Sequence, residues 1–302
     1  MKPRRFLLIC LLTIVCSALG TLHSAHADTS WSGLTDYTIR VDGYQRTYHV
    51  HLPASYTGRK SLPLVVALHA SRDNGPNMSG LTHFNDVADS NDVIATYPDA
   101  LNGIWNTDGS APQDDFNFIS AMIQQMRSAF AINGHQIYAM GFSEGGEMTE
   151  ELGCKLSSQF SAIASISGHM ASTNTCRLAH PMPLITFHGT ADTVWSYTGW
   201  AGLRGGQHLT GAVDAENKWA SLASCSGNPT TSKVPNKVLS DGTTEKLTVI
   251  SKCKAGVQMQ LYTITNGGHT WPGGMALPWF GLTTLDIDAS TLIWQFFAHY
   301  QF

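Results

Sequence analysis

The run Gly141-Phe142-Ser143-Glu144-Gly145 sets one hydroxyl between two glycines. A serine hydroxyl is a weak nucleophile until a base takes its proton. Gln136-Ile137-Tyr138-Ala139-Met140 before it reads as a strand, and helix-compatible residues follow it. At a sharp strand-to-helix turn a serine is left standing clear of the sheet edge, and glycines on either side relieve the crowding there. The helix that begins next points its first amides at developing negative charge. The competing reading is a tight turn of purely structural value.

A serine used this way needs a base, and an acid that orients the base. Leu184-Ile185-Thr186-Phe187-His188-Gly189-Thr190-Ala191-Asp192 reads as a strand and a glycine turn. Asp192 falls just beyond the carboxyl end of that strand, where open α/β sheets collect functional loops. It is the candidate acid, with turn capping as the alternative. His269 lies in Asn266-Gly267-Gly268-His269-Thr270-Trp271-Pro272-Gly273, a glycine-rich loop that core packing does not explain. It is the candidate base, with His49, His51, His169, His188 and His208 as rivals. Ser143, Asp192 and His269 stand in the chain order of hydrolases with a nucleophile elbow. An oxyanion would need two donors. The amide of Glu144 is the first candidate and that of Ala70, after the first buried strand, is the second, with Ser71 close behind. Trp105, Trp195, Trp200, Trp271 and Trp279 are near the presumed cleft loops, and Trp105, Trp195 and Trp271 are candidate substrate-binding residues. So is His169, which follows Ser167-Gly168 at a strand end.

The elements that must position these residues follow from periodicity. Tyr37 to Leu52 alternates around Asp42-Gly43 and predicts a hairpin. Leu62 to His69 is nearly all apolar, as in a central strand buried on both faces. Shorter strands are expected at 93–97, 136–140, 160–167 and 184–188, and a last one at 257–265. Helices are expected at 115–130, 144–152 and 212–222, and from a cap at Asp288 towards Tyr300. This alternation predicts one α/β domain with a mostly parallel central sheet, helices on both faces and an antiparallel edge. Residues 229–244 are polar and turn-rich, and read as a surface excursion.

Lys2, Arg4 and Arg5, the apolar run Phe6 to Val15, and Ala25-His26-Ala27 predict a secretory signal over 1–27 and a single catalytic domain over 28–302. The apolar stretch is short for a membrane span, so stable membrane association is not expected. Cleavage would make the formal net charge of −4 three charges more negative. Nothing in the charge pattern suggests nucleic acid. Four cysteines would remain: Cys154, Cys176, Cys225 and Cys253. An exported chain can join them as two disulfides in any of three pairings, and local closure favours Cys154–Cys176 and Cys225–Cys253. Their spacing resembles no zinc site. No metal or other cofactor is expected, and the chain is expected to be a monomer in the extracellular or periplasmic space.

Several pieces together resemble a known family. They are Pro63 to His69, Trp105-Asn106, Asp114-Asp115-Phe116, Gly141 to Gly146, His188 to Asp192, and Gly267-Gly268-His269-Thr270-Trp271-Pro272-Gly273. They are similar to the secreted esterases that include polyhydroxybutyrate depolymerases and feruloyl esterases, carbohydrate-esterase-type α/β-hydrolases. The resemblance covers roughly residues 38–302. It implies an α/β-hydrolase fold, with Ser143 as nucleophile, Asp192 as acid and His269 as base. It also implies an ester substrate derived from polysaccharide or polyester: first a hydroxycinnamoyl ester, otherwise a polyhydroxyalkanoate or acetylated xylan. A non-catalytic carbohydrate-binding protein on the same fold is the remaining alternative. One departure is Ala70, where the family usually has glycine.

Overall fold

The computed structural model describes residues 33–171, 175–204 and 207–302. The expected signal over 1–27 lies outside the described residues. Strands β1 (Thr35–Val41) and β2 (Tyr44–His51) form the opening hairpin, with Asp42 and Gly43 both at positive φ in the turn. Next come β3 (Leu62–Leu68), helices α1 (Gly75–Thr82) and α2 (Phe84–Asn91), β4 (Ile94–Pro98), α3 (Asp115–Ala129) and β5 (Ile132–Phe142). Helix α4 (Glu144–Lys155), β6 (Ala162–Ile166), β7 (Leu184–Gly189), the pair β8 (Trp200–Arg204) and β9 (Gln207–Leu209), and α5 (Ala212–Leu222) follow. Strands β10 (Thr230–Lys233), β11 (Thr244–Ile250) and β12 (Met259–Thr265) precede α6 (Ala289–Phe297).

Among the described residues one sheet has the order β1-β2-β4-β3-β5-β6-β7-β12-β11-β10. From β4 to β12 all neighbours pair in parallel, and both margins are antiparallel. The fold is that of an α/β-hydrolase. The buried side chains divide into two clusters, one for each face of the sheet. Leu64, Val66 and Leu68 of β3 belong to one, and Val65 and Ala67 to the other. A strand covered on both faces therefore reads as continuously apolar.

The polar stretch 229–244 lies at the surface within the domain, as expected, and also supplies a short strand that its sequence does not announce. Thr230–Lys233 adds an outer strand to β11, and all four of its residues are exposed. Turn-forming residues around it mask so short a strand. The structure joins Cys154 to Cys176 and Cys225 to Cys253. The first bond ties the end of α4 to the chain after β6. The second ties the end of α5 to the turn before β12. No helix among the described residues is long and apolar enough to cross a membrane.

The Trp105-Asn106 and Asp114-Asp115-Phe116 motifs turn out to be framework. Asp114 caps α3 by accepting the amide of Asn117 at 3.0 Å. Asp115 is buried, ion-paired with Arg46 at 2.6 Å, and accepts the amide of Asn106 at 2.7 Å. A buried carboxylate with both oxygens engaged holds the start of α3 against β2 and the loop after β4.

Candidate active site

Ser143 sits between β5 and α4 with φ 58° and ψ −122°, a strained geometry for a residue with a side chain. Its amide donates to Ile166 O at 2.9 Å, and its carbonyl accepts from Gly146 and Glu147. Three glycines let the turn close. A side chain at 145 would strike the carbonyls of Leu68 and His69, and one at 141 would strike Gly145. One at 168 would strike the carbonyl of Ser143. The end of β3 therefore lies directly against the first turn of α4.

Asp192 and His269 come from the loops after β7 and β12, which are neighbours in the sheet. Thr190 N–H donates to Ile264 O and Ala191 N–H to Gly267 O, both at 2.9 Å, so the two loops are stitched together. Gly189 is needed there, because a side chain would meet the carbonyls of Gly267 and Gly268. Asp192 Oδ1 accepts the amides of Val194 and Trp195 at 2.9 and 2.7 Å. Its Oδ2 accepts Nδ1–H of His269 at 2.8 Å. Burial would raise the Asp192 pKa, but the bond from His269, the imidazole's charge and the Trp195 amide hold it below the ordinary value. An ionised Asp192 fixes the proton of neutral His269 on Nδ1 and leaves Nε2 bare. Two rings flank the imidazole, Phe142 at 4.8 Å and Phe280 at 6.0 Å between centroids.

The loop after β3 is pinned through His69. Its Nδ1–H donates to Ala70 O at 2.7 Å, and its Nε2 accepts Ala100 N–H at 3.0 Å. The bond at Nε2 needs a neutral ring, and burial pushes the His69 pKa down. This framework places Ala70 beside the α4 terminus, in keeping with a donor role for its amide. The Glu144 side chain is buried, and Oε2 accepts the Trp105 amide at 3.3 Å. The carboxylate is thereby engaged with the loop that carries Trp105.

The expected substrate-binding rings need correcting. Trp105, Trp195 and Trp271 are 3%, 4% and 0% exposed, so none offers a free face for stacking. Trp105 Nε1–H donates to His69 O at 2.9 Å, bolting down the Ala70 loop. Trp271 Nε1–H donates to Ser290 Oγ at 3.1 Å, which anchors the His269 loop on α6. Trp195 serves through its backbone, as the Asp192 contact shows. His169 also differs from expectation. It is fully buried between Glu150 and His188 and lines no cleft. Of the rival bases, His49 pairs with Asp36 and Asp99, and His51 with Asp89. The His208 side chain lies outside the described residues.

The sequence put Trp279 near the cleft loops without singling it out for substrate binding, and the structure sets it in the Pro278–Phe280 turn. His269 N–H donates to Phe280 O at 2.8 Å, so this turn is clipped to the loop of the candidate base. Trp279 beside it is 76% exposed. A Pro-Trp-Phe run shortly after a glycine-rich histidine loop was the available signal.

No family model matches the chain. Feruloyl esterase B from Piromyces equi is 28% identical over 234 residues, which are 73% of this chain and 42% of that protein. The chain thus spans less than half the length of that curated relative. A protein named "Probable feruloyl esterase C" from Aspergillus clavatus is 30% identical over 207 residues, covering 63% of this chain and 74% of the relative. The chain belongs to the feruloyl esterase family. The structure of an acetyl xylan esterase from Aspergillus awamori has the same fold as this chain, with a TM-score of 0.61. It is 14% identical and covers 87% of this chain and 99% of its own.

A buried carboxyl near this site gives a stability prediction. Glu216 on α5 is buried, and its pKa is raised well above the usual value, chiefly by burial. A raised folded-state pKa contributes stability below the unfolded pKa, and this is lost as pH rises towards the folded value. Glu216→Gln removes that loss and keeps an acceptor for Thr186 Oγ1. The variant should match the wild type near pH 4 and become the more stable of the two as pH rises. Thermal melts across pH decide it; a constant difference between the two proteins would contradict it.

Proposed function

We propose that this chain is a serine carboxylic-ester hydrolase that releases hydroxycinnamic acids, ferulic acid first, from plant polysaccharide esters outside the cell. The reading is carried by the 2.8 Å bond between His269 Nδ1 and Asp192 Oδ2, on strand-end loops next to the strained Ser143 turn. Family membership and relatives named feruloyl esterases support the acyl group, and two disulfides support an oxidising compartment.

In the first half-reaction His269 Nε2 takes the proton of Ser143 Oγ while Oγ bonds to the ester carbonyl carbon. The carbonyl oxygen becomes an oxyanion, held by the amides of Glu144 and Ala70. When the carbon–alkoxy bond breaks, His269 returns the proton to the leaving sugar oxygen. An acyl-Ser143 ester remains. Water then repeats the sequence, frees the acid and restores Ser143. All three side chains come from one chain, so the chemistry needs no partner subunit.

The ledge formed by Trp279 and Phe280 supports a flat acyl group. The two rings are 6.4 Å apart, and Phe280 borders His269. Trp279→Ala should lower kcat/KM on methyl ferulate about 3- to 10-fold more than on a short acetate ester, the size of one lost aromatic contact. Equal losses on both esters would remove Trp279 from substrate recognition.

The deciding experiment compares kcat/KM on methyl ferulate, hydroxybutyrate oligomers and acetylated xylo-oligosaccharides, since only the ratios report specificity. Preference for ferulate is expected. Preference for either other class would replace the substrate while keeping the reaction. Failure of a phosphonate probe to label Ser143 would reject the reaction itself.

A further inference from the structure

Behind Asp192 runs a line of buried polar groups that the mechanism above does not use. His188, on β7, has Nε2 2.7 Å from Trp195 O and 3.5 Å from Asp192 Oδ2. Its Nδ1 is 3.0 Å from Nε2 of His169, which follows β6. Nδ1 of His169 is 2.9 Å from Oε1 of Glu150, two turns along α4 from Ser143. Oε2 of Glu150 accepts the Met170 amide at 3.0 Å and Trp219 Nε1–H at 2.9 Å. Glu150, His169 and His188 are all 0% exposed. A fully buried acid and two imidazoles without water access are costly unless every polar atom is paired, and here the chain pairs them.

Proton counting fixes most of the line. Trp195 O can only accept, so His188 Nε2 carries a proton. One further proton is shared along the row. It can sit on Glu150, with His169 donating from Nε2 to His188. It can sit on His169, opposite a Glu150 carboxylate. Or it can sit on Nδ1 of His188, which then becomes an imidazolium 3.5 Å from the oxygen of Asp192 that holds His269. The three placements leave the row with the same net charge, but only the last sets a cation against Asp192. Burial, with His169 next in weight, pushes the His188 pKa down to about 3, which opposes that placement. Other charged groups face the row as well. Glu147 and Glu151 come from α4, with Glu151 paired to Lys155. Glu216 and Lys218 come from α5, with Lys218 Nζ donating to Ala171 O. Asp192 and His269 complete the set.

We propose that Glu150, His169 and His188 are positioning residues for Asp192. They hold the Asp192–Trp195 turn through the His188–Trp195 bond, and they keep the shared proton at the far end of the row. Asp192 then directs its charge at His269 alone. The inference rests on the proposed roles of Ser143, Asp192 and His269. The row ties α4, β6 and β7 to the acid, so the helix that begins at the nucleophile also sets the acid's place.

The test is His169→Leu, which cuts the row in its middle and touches neither Asp192 nor His269. With methyl ferulate, kcat should fall roughly 10- to 100-fold, the scale of a small misplacement of reacting groups, with KM little changed. The acid limb of kcat/KM should move to lower pH, because a shifted Asp192 turn gives an imidazolium at 269 less countercharge. Glu150→Gln keeps the three hydrogen bonds at that position and should retain at least tenfold more kcat than Glu150→Leu. A variant that folds, labels at Ser143 and shows the wild-type kcat and acid limb would overturn the positioning role. Imidazole 15N spectra of the wild type decide the matter even if His169→Leu does not fold. His188 should remain neutral and protonated on Nε2 from pH 5 to 9. A His188 that titrates in that range, or carries its proton on Nδ1, overturns the proposal. Turnover by Ser143→Ala would instead dismiss the nucleophile, so the two failures are separable.

Discussion

Ser143→Ala is expected to lower kcat on methyl ferulate by a factor on the order of 10⁶, leaving only what the oxyanion donors and binding supply. The size follows from the geometry. Alanine retains Cβ and the turn, so the amides of Glu144 and Ala70 stay in place, but no atom remains to form the acyl-enzyme. KM for the ester should change little, and the folded structure should persist. The turn is closed by glycines 141, 145 and 168, and Ser143 itself contributes only backbone hydrogen bonds to it. Initial rates with purified variant, checked against the melting temperature, measure this. Turnover within tenfold of the wild type would show that another residue attacks the ester.

Asp192→Asn carries the second largest effect, a fall in kcat of about 10⁴-fold, and the hydrogen bonds say why. Oδ1 of Asp192 accepts two backbone amides, at 2.9 and 2.7 Å. In the variant the amide oxygen must take that side, because two N–H donors cannot face an NH₂ group. The NH₂ group then faces His269 and donates to Nδ1. That bond selects the imidazole with its proton on Nε2, which cannot accept the proton of Ser143. The fold should survive, since the amides of Val194 and Trp195 keep an acceptor. A crystal structure of the variant with an unmoved His269 ring and a rate near wild type would refute the tautomer argument. The same carboxylate bears on pH. Its depressed pKa contributes stability above the unfolded value, and this is lost as pH falls through the folded one.

The candidate residues Ser143, Asp192 and His269 were picked out in the sequence because their signals are local. A serine between glycines, an aspartate beyond a glycine turn and a histidine in a glycine loop each mark a loop at a strand end. The apolar runs that became β3, β5, β6 and β7 were equally plain, since burial on both faces leaves no polar positions. Helix α1 was not, as it contains Gly75, Pro76 and Gly80 and shows little amphipathic contrast. Its start depends on Asn74, which caps the amide of Asn77. The tryptophans show a different limit. A tryptophan near a cleft motif can present its ring to a ligand or use it to brace the loop, and composition does not separate the two. Trp105 and Trp271 brace, while Trp279 lies open. His188 was read as a buried support for the Asp192 loop, but the part of Glu150 was invisible for a related reason. Among the acids of Glu144-Gly145-Gly146-Glu147-Met148-Thr149-Glu150-Glu151, a glutamate normally reads as a solvated helix face, yet here that face is packed inward.

The outer strand β10 bears on how copies of the chain meet. An unpaired strand edge is a template on which a second chain can extend the sheet. Here the edge is four residues long, and Lys233 stands across from Lys246 on β11. A strand from another copy would have to settle beside two lysines at opposed positions, and would gain few backbone bonds for doing so. Where copies of the chain are crowded, this margin resists the edge-to-edge growth that turns concentrated protein into an aggregate.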